Sequence, residues 1–427
     1  MIKYLLKDLS GGKIKMDYFK KIIRTYDGLP KEVYVIAIAR FINAVGLFIF
    51  PLLTLLLTKK IGLNEAETGF WIAVSGFSSI PMSILGGKLT DVFGRKKLVI
   101  YPNIIATILY GTCAFIEPSM LMVYLIIGAG SILHSSWPAM NSLIADITTP
   151  ANRNESFSLA YLGNNLGFAV GPFIGGLLFK NHLKLFFLID AGTTFLSTIL
   201  IIIFIKETLF KAEEETDRIL EKSVTGTALS ILVKRPIILI FSFLLLGYHF
   251  VYAQWSFLMP IHLESLFVDE GAKLFGTFAS LNGVVVIIFT PIITTSFSKL
   301  SNLKRTVIAG LFYSIGFGLL GFIEIKFAFF MSVVIFTLGE ILLVISTMPF
   351  LSNHTPVSHR GRINSIVNII MGIGHMGGPI IVGNLLNYIT IATTWKLVGL
   401  VAFISAIFLY ILDFFDTKKQ KNIKANV

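Results

Sequence analysis

Apolar residues gather into twelve long stretches along the chain, and polar connections separate one stretch from the next. A helix needs roughly 20 mainly apolar residues to cross a hydrocarbon core about 30 Å thick. The stretches that approach this length are 33–58, 69–87, 98–116, 120–145, 156–179, 184–205, 237–264, 272–298, 304–323, 327–350, 363–388 and 394–414. The pattern predicts an all-α membrane protein with twelve transmembrane helices, which we number as spans 1 to 12.

The longest connection, 206–236, divides the spans into two sets of six. It carries the charged run Glu213–Arg218, which is typical of a partly helical linker in water. We therefore predict a basic tail at 1–32, a six-helix bundle at 33–205, a linker at 206–236, a second six-helix bundle at 237–414 and a tail at 415–427.

The two halves of the chain resemble each other when one is shifted along the other. A shift of 207 positions aligns span 5 with span 11, and a shift of 208 aligns the basic turns after spans 2 and 8. The matches are Gly167 with Gly374, Gly171-Pro172 with Gly378-Pro379, Gly176 with Gly383, and Lys96–Val99 with Lys304–Val307. This repeat predicts parallel halves with pseudo-two-fold symmetry, as in transporters that rock two bundles about a site at the middle of the membrane.

Composition and charge agree with a membrane protein. The chain is 55% hydrophobic and 14% charged, with a mean hydropathy of +0.80, which is too apolar for a soluble domain. The first apolar stretch begins at Val33, after a basic tail, so we expect no cleaved signal peptide. With that tail in the cytoplasm, 28 of the 36 Lys and Arg residues fall on the cytoplasmic side. We expect a plasma-membrane protein with both termini cytoplasmic, which explains the net charge of +12 without nucleic acid.

A short basic loop, Gly86–Lys97, interrupts the apolar pattern between spans 2 and 3. Gly86 and Gly87 allow two helices to approach closely, and Gly94 can adopt the positive φ of a tight turn. Taken alone, these residues are consistent with cations that fix the topology and with Asp91 as the cap of a turn.

The loop resembles the signature of the major facilitator superfamily, and Gly163–Gly176 in span 5 is similar to the signature of its drug/proton antiporter branch. The resemblance implies that Asp91 meets the start of the helix near Ile363, and that Arg95 pairs with Asp146. It also implies a gate formed at Gly87, Asp91, Gly94, Arg95 and Asp146.

Glycines recur every fourth residue in span 5, at Gly163, Gly167, Gly171 and Gly175. This spacing places a groove along one helical face, and Pro172 bends the helix. One interpretation is close packing alone. The other is that the bent helix seals one half of the protein against the other, with Gly374, Gly377, Gly378 and Pro379 doing the same in span 11.

Ionisable and polar residues inside the spans give the candidate proton-coupling and substrate residues, because a charge in the membrane normally faces a cavity or a partner. They are Glu340, His134, His249, Arg40, Asn43, Asp190 and Asn141, with Gln254 and Trp255 as candidates to line a substrate cavity. Glu340, which has Thr337 and Thr347 on its face, is the preferred proton carrier. A structural hydrogen bond, a satisfied core histidine or an interfacial acid is the alternative reading for these residues.

The aromatic content is high, with 38 Phe, but most of these face lipid or the packing between helices, so the count alone does not identify a substrate. A cavity of aromatic side chains with one acid favours amphipathic, often cationic, molecules. We expect a monomeric secondary transporter that works by alternating access in contact with membrane lipids and exports such molecules in exchange for protons. We expect neither an enzyme nor a cofactor, with the proton gradient as the energy source, because no Walker sequence appears. The single cysteine, Cys113, argues against a disulfide or a metal site.

One departure from the drug/proton pattern keeps other functions open. Tyr124 stands where that branch usually carries an arginine, shortly before Gly128-Ala129-Gly130. A proton-coupled peptide or nutrient importer is one alternative, although Ala39–Asn43 lacks the glutamate-rich signature of the oligopeptide branch. A lipid or lysolipid transporter and a non-transporting membrane receptor are the others.

Overall fold

The computed structural model describes residues 26–149, 152–209, 235–355 and 360–425, and its regular elements are all helical. The helices are α1 (Lys31–Gly46), α2 (Ile49–Leu55), α3 (Glu65–Phe93), α4 (Arg95–Cys113), α5 (Met120–His134), α6 (Ser136–Asp146), α7 (Arg153–Phe168), α8 (Gly171–Phe179), α9 (Leu183–Phe204), α10 (Pro236–Ala253), α11 (Leu258–Leu266), α12 (Gly271–Ser296), α13 (Asn302–Leu319), α14 (Lys326–His354), α15 (Arg360–Leu385) and α16 (Ile391–Ala425). A π-helical turn, Leu56–Ile61, extends α2. Most of the predicted N-terminal tail and of the predicted linker, including Glu213–Arg218, lies outside the described residues.

Ten helical segments of the described chain are long and apolar enough to cross a membrane. The predicted spans 3 and 9 are also helical, as α4 and α13, but neither is among those ten. Both begin with basic residues, which shortens their apolar part. Twelve spans therefore stay a prediction, whereas an all-helical architecture with ten candidate membrane helices is observed in the described residues.

Spans 1, 4, 5 and 7 each consist of two consecutive helices rather than one. In span 1 the break lies at Leu47 and Phe48, between α1 and α2. In span 5, Ala169 and Val170 separate α7 from α8, and Pro172 stands in the first turn of α8, where the missing N–H removes no helical hydrogen bond.

Local sequence explains several helix ends. Asn64 and Glu67 form a capping box at the start of α3, with each side chain bonded to the other residue's backbone N–H. Gly62 and Gly94 adopt φ values of +87° and +99° at the turns before α3 and before α4.

Helices pack mainly within each half of the chain. In the first half α1 packs against α7 and α9, and α4 packs against α5, α6 and α9. In the second half α10 packs against α15 and α16, and α13 packs against α14 and α16. The most extensive contacts between the halves join α3 to α15 and α8 to α12.

Candidate functional site

The contacts between the halves obey the 207-residue repeat position by position. A Cβ on Gly276 in α12 would overlap the carbonyl oxygen of Pro172 in α8, and a Cβ on Gly69 in α3 would overlap that of Pro379 in α15. Adding 207 to Gly69 and Pro172 gives Gly276 and Pro379. The two interfaces are therefore copies of one arrangement.

Two further contacts repeat in the same way. A Cβ on Gly176 would lie 2.6 Å from the carbonyl oxygen of Ala272, and its counterpart Gly383 faces that of Glu65. Gly283 packs on Ala169, just as Gly76 packs on Met376. The halves thus meet through backbone and small side chains at the ends of the helices that lie beside Glu65. We call this the Glu65 side, and the opposite side, which carries Gly94, the basic side.

The four glycines that recur along one face of span 5 do not contact the other half. A Cβ on Gly167 would lie 2.5 Å from the carbonyl oxygen of Phe41, and one on Gly171 would lie 2.7 Å from that of Ala44, both in α1. Gly163 and Gly175 also face span 1. These four glycines hold span 1 inside their own half, so the packing interpretation describes them. The contact with the other half uses a different face of the helix, through Ala169, Pro172 and Gly176.

The glycines of span 11 divide in the same manner. Gly374 packs on the carbonyl oxygen of Leu246, and a Cβ on Gly378 would lie 3.1 Å from the Cβ of Ala253, both in α10. Gly377 has no neighbour within 4 Å of a Cβ. Contact with the first half is made by the carbonyl of Pro379 and by Gly383.

A cavity of about 540 Å³ opens between α7 and α12 on the basic side. It is lined by Tyr26, Ser158, Tyr161, Leu162, Asn165, Val286, Ile287, Thr290, Pro291, Thr294 and Thr295. None of these side chains carries a formal charge at neutral pH. The halves are thus closed on the Glu65 side and separated on the basic side.

Glu340 lies deep in the second half at a junction of three helices. Its Oε2 accepts a hydrogen bond of 2.9 Å from Nδ2 of Asn282 in α12, and the hydroxyl of Tyr252 in α10 donates to the same carboxylate. Nδ2 of Asn282 also donates to Oγ1 of Thr337, at 2.8 Å. The network contains no basic side chain, so the charge of an ionised Glu340 is stabilised by neutral donors alone.

Tyr161 links this network to the cavity. It lines the cavity with 58% of its surface exposed, and it is close enough to Tyr252 to interact with it electrostatically. Glu340 itself does not line this cavity, but its partner Asn282 lies one turn before the lining residue Val286 in α12.

The first half contributes two polar pairs to its interior. Nη2 of Arg40 donates to Oδ1 of Asn141 at 3.0 Å, which joins spans 1 and 4. Nδ2 of Asn43 donates to Oγ1 of Thr194 at 3.1 Å, which joins spans 1 and 6. Asp190 lies one turn from Thr194 and is 1% exposed.

The two candidate histidines lie in different halves. His134 ends α5 and packs on Trp137, with 5.3 Å between ring centroids. His249 in α10 lies beside His375 of α15, whose ring hydrogen-bonds to the backbone of His249. Sequence reasoning missed His375, which lies among the glycines of span 11, between Gly374 and Gly377.

Gln254 and Trp255 are buried in the second half, with exposures of 0% and 6%. Trp255 packs on Phe275 and Phe336, at centroid distances of 5.1 and 4.9 Å. Neither residue lines the cavity in this conformation, in contrast to the expectation from sequence. Both lie in the break of span 7, between the end of α10 at Ala253 and the start of α11 at Leu258.

On the basic side, Arg95 joins three helix ends. Its Nε donates to Oδ2 of Asp146 at 3.1 Å, the pair that the family resemblance implies, and Nη1 donates to the carbonyl of Thr90. Nη2 lies 3.6 Å from Asp91, whose side chain is 75% exposed. The expected neighbour of Asp91, α15, begins at Arg360, five residues after Thr355, and residues 356–359 lie outside the described chain.

Glu207, just after α9, adds to the contacts around Arg95. Sequence reasoning did not identify this residue. Its carboxylate accepts hydrogen bonds from the backbone N–H groups of Arg95, Lys96, Thr208 and Leu209. Partial burial opposes its ionisation, but the backbone donors outweigh burial and lower the pKa of Glu207 below its usual value. The carboxylate also caps the start of α4, where the helix dipole favours an anion.

The two glycines at the end of span 2 differ. Gly86 packs against the backbone of Ser135 at the break between α5 and α6. A Cβ on Gly86 would lie 2.6 Å from the Cα of Ser135. Gly87 has nothing within 4 Å of a Cβ, so the close approach expected there belongs to Gly86 alone. The reason is rotation: consecutive helical residues point about 100° apart.

Comparisons with known proteins agree with this architecture. The family model of the Major Facilitator Superfamily matches residues 36–379. A Na⁺, Li⁺, K⁺/H⁺ antiporter of Planococcus maritimus is 23% identical over 413 residues, which cover 90% of this chain and 96% of the relative. Multidrug resistance protein 1 of Bacillus subtilis is 27% identical over 170 residues, which cover 39% and 43%.

Among solved structures, a POT peptide transporter in complex with alafosfalin superposes with a TM-score of 0.72 over 91% of this chain and 95% of its own, at 17% identity. That similarity shows a shared fold. The curated relatives are transporters rather than enzymes. On the match over residues 36–379, this chain belongs to the Major Facilitator Superfamily.

Proposed function

We propose that this protein is a secondary active transporter that exports amphipathic small molecules in exchange for protons by alternating access. Twelve spans in two six-helix bundles, with both termini in the cytoplasm, would place the basic side inward. The described conformation would then be open to the cytoplasm, ready to accept a substrate from inside. The proton gradient across the plasma membrane would be the energy source.

The observation that carries this proposal is the Glu340 network beside the cavity. A carboxyl bonded to Asn282 and Tyr252 without a basic partner can take up a proton, and the change of charge alters its hydrogen bonds to two other helices. Protonation at Glu340 is thereby connected to the position of α10 and α12. The adjoining cavity, which is uncharged and partly aromatic, suits an amphipathic molecule.

The paired interfaces support the alternating part of the proposal. Because α3–α15 and α8–α12 repeat the same contacts, rocking of one half against the other, about an axis in the membrane plane, can open both on the Glu65 side together. On the basic side, Asp91, Arg95, Asp146 and Glu207 would act as the gate that forms when the cavity closes.

A second candidate is exchange of an alkali cation for protons. The relative of that description spans nearly the whole chain, and the described spans hold two buried carboxyls, Glu340 and Asp190, that no Lys or Arg pairs with. Peptide or nutrient import and lipid movement stay as alternatives, since likeness to peptide transporters at 17% identity reports the fold.

Proteoliposomes with an imposed pH gradient test the proposal. Amphipathic cations, alkali cations, lysolipids and short peptides are added in turn, and proton flux is followed for the wild type and Glu340→Gln. Glu324→Gln is the matched control, because Glu324 is exposed in the turn before α14. We expect amphipathic cations to drive protons in the opposite direction, with this flux lost in Glu340→Gln and kept in the control. Flux with peptides moving in the same direction as protons would overturn export.

A further inference from the structure

Asp190 is a second acid in the membrane that the cavity does not reach. It lies in α9 with 1% of its surface exposed, at the level where span 1 is interrupted between Gly46 and Ile49. The backbone N–H of Ile49, the first residue of α2, hydrogen-bonds to its carboxylate. Oδ2 is buried and has no hydrogen-bond partner.

The groups that face Asp190 carry no positive charge. Tyr110 of α4 is its titratable neighbour, and the Tyr110 hydroxyl is itself buried without a partner. From α1, Asn43 bonds to Thr194 instead. The one lysine of α9, Lys184, lies over the ring of Phe115 at 4.7 Å. Within the described chain, Asp190 forms no ion pair.

An ionised carboxylate in these surroundings would be expensive, because neither water nor a counter-ion balances it. Such a group binds a proton and becomes neutral, unless a conformational change brings in water or a donor. Tyr110 is the available donor, since its hydroxyl makes no other hydrogen bond. Interrupted helices in the middle of the membrane are where secondary transporters hold coupling ions.

We propose that Asp190 is a second exchangeable-proton site, located in the first half and separate from Glu340. In the described conformation the carboxyl holds the proton. When span 1 moves at its break and water reaches the carboxyl from the basic side, the carboxyl O–H bond breaks, the proton leaves to that water, and the Tyr110 hydroxyl donates to the resulting carboxylate. A new proton binds the carboxylate from water on the Glu65 side when the halves open there. The break is tightly packed against α9 here, because a Cβ on Gly46 would overlap Oγ1 of Thr193. Span 1 must therefore move before water can reach the carboxyl. The proposal rests on the proposed transport cycle for the step at which the proton leaves.

Infrared difference spectroscopy tests the site without any transport. The purified full chain in lipid nanodiscs is compared between mildly acidic and alkaline pH, and the bands of protonated carboxyls are followed. We expect the wild type to show one band that Asp190→Asn removes and a different one that Glu340→Gln removes. Tyr110→Phe should shift the frequency of the Asp190 band without removing it. Asp269→Asn, at an exposed residue paired with Lys180, is the control and should leave both bands.

A wild-type spectrum in which no titrating band depends on both Asp190 and Tyr110 overturns the proposal, even if Glu340-dependent transport is found. Should Asp190→Asn not fold, the Tyr110→Phe shift decides alone. Na⁺, Li⁺ and K⁺ are then added at constant pH. Loss of the Asp190 band supports the proposal and adds alkali cations as competitors for the carboxylate, whereas an unchanged band supports a site that takes protons alone. A protein that shows the band but moves no substrate contradicts the proposed function and leaves this site intact.

Discussion

Gly94 packs directly against the carboxylate of Glu207, across the joint between the end of α3, the start of α4 and the segment after α9. A Cβ on Gly94 would overlap Oε2 and lie 2.7 Å from Cδ. Gly94 also has a φ of +99°, which side chains rarely tolerate. The same carboxylate binds the backbone N–H of Arg95, at 2.9 Å. Gly94 therefore both adopts the backbone conformation of the turn and leaves room for the carboxylate that caps α4.

Replacing Gly94 by Ala should destabilise the basic side and slow transport. The substitution strains the backbone by about 1–3 kcal/mol and displaces the carboxylate that caps α4. Thermal unfolding in detergent and transport in proteoliposomes measure the two effects. Gly87→Ala, where the added methyl meets open space, is the control. Equal melting temperatures for the two variants would contradict the role given to Gly94.

The stabilising effect of Glu207 should depend on pH in a defined direction. Its pKa is lower in the folded protein than in the unfolded chain. The carboxylate therefore stabilises the folded state fully above the unfolded pKa, and this contribution disappears as the pH falls through the lower, folded value. The melting temperature of the wild type should exceed that of Glu207→Gln at neutral pH and approach it in acid. A constant difference across this range would assign the effect to shape rather than charge.

Asp91→Asn should slow transport while leaving the protein folded and inserted. The side chain is 75% exposed, and its described ion pair with Arg95 is long, at 3.6 Å, so its loss costs little stability in this conformation. We expect its main contacts to form when the basic side closes against α15, and the variant should therefore disfavour that state. Expression, melting temperature and transport rate are compared with the wild type. A wild-type rate would remove Asp91 from the gate.

Much of this arrangement could be predicted from sequence because it depends on periodic or repeated features. Long apolar stretches predicted the helices. The repeat, which aligns Gly171-Pro172 with Gly378-Pro379, indicated two matching interfaces. Glu340 could be singled out, since a lone acid in an apolar span needs a partner. Its partner Asn282 carried the same signal, as an amide in the apolar span 8, and could have been found.

Other features have no linear signature. Glu207 follows span 6 beside another charged residue, and its backbone partners in α4, Arg95 and Lys96, are more than 100 residues away. The glycine face of span 5 shows that a helix packs closely, but not which neighbour it packs on. Rotation about the helix axis decides that Gly171 meets span 1, whereas Pro172, one residue later, meets the other half. The burial of Trp255 follows from a break in span 7 that spacing does not reveal.

The repeated interface on the Glu65 side leads to a prediction about the balance of conformations. Gly276→Ala places a methyl against the carbonyl of Pro172 where no space exists. Overpacking of this kind costs about 1–3 kcal/mol, and 1.4 kcal/mol corresponds to a tenfold change in an equilibrium. The form closed on the Glu65 side should therefore lose about tenfold in population relative to the form open there. Gly69→Ala, its counterpart in the repeat, should act in the same direction.

Spin labels at positions 117 and 324 would measure this balance, because both are exposed in turns on the Glu65 side, one in each half. Cys113, the single native cysteine, is first replaced by Ala. Distances between the labels should lengthen in Gly276→Ala and in Gly69→Ala. Gly128→Ala is the control, since its added methyl has no neighbour within 4 Å. If one interface variant lengthens the distance and the other does not, the halves do not move as a symmetric pair, and the repeat reflects ancestry rather than a shared hinge. Lengthening in both, with an unchanged control, ties the Gly69–Pro379 and Gly276–Pro172 contacts to one motion.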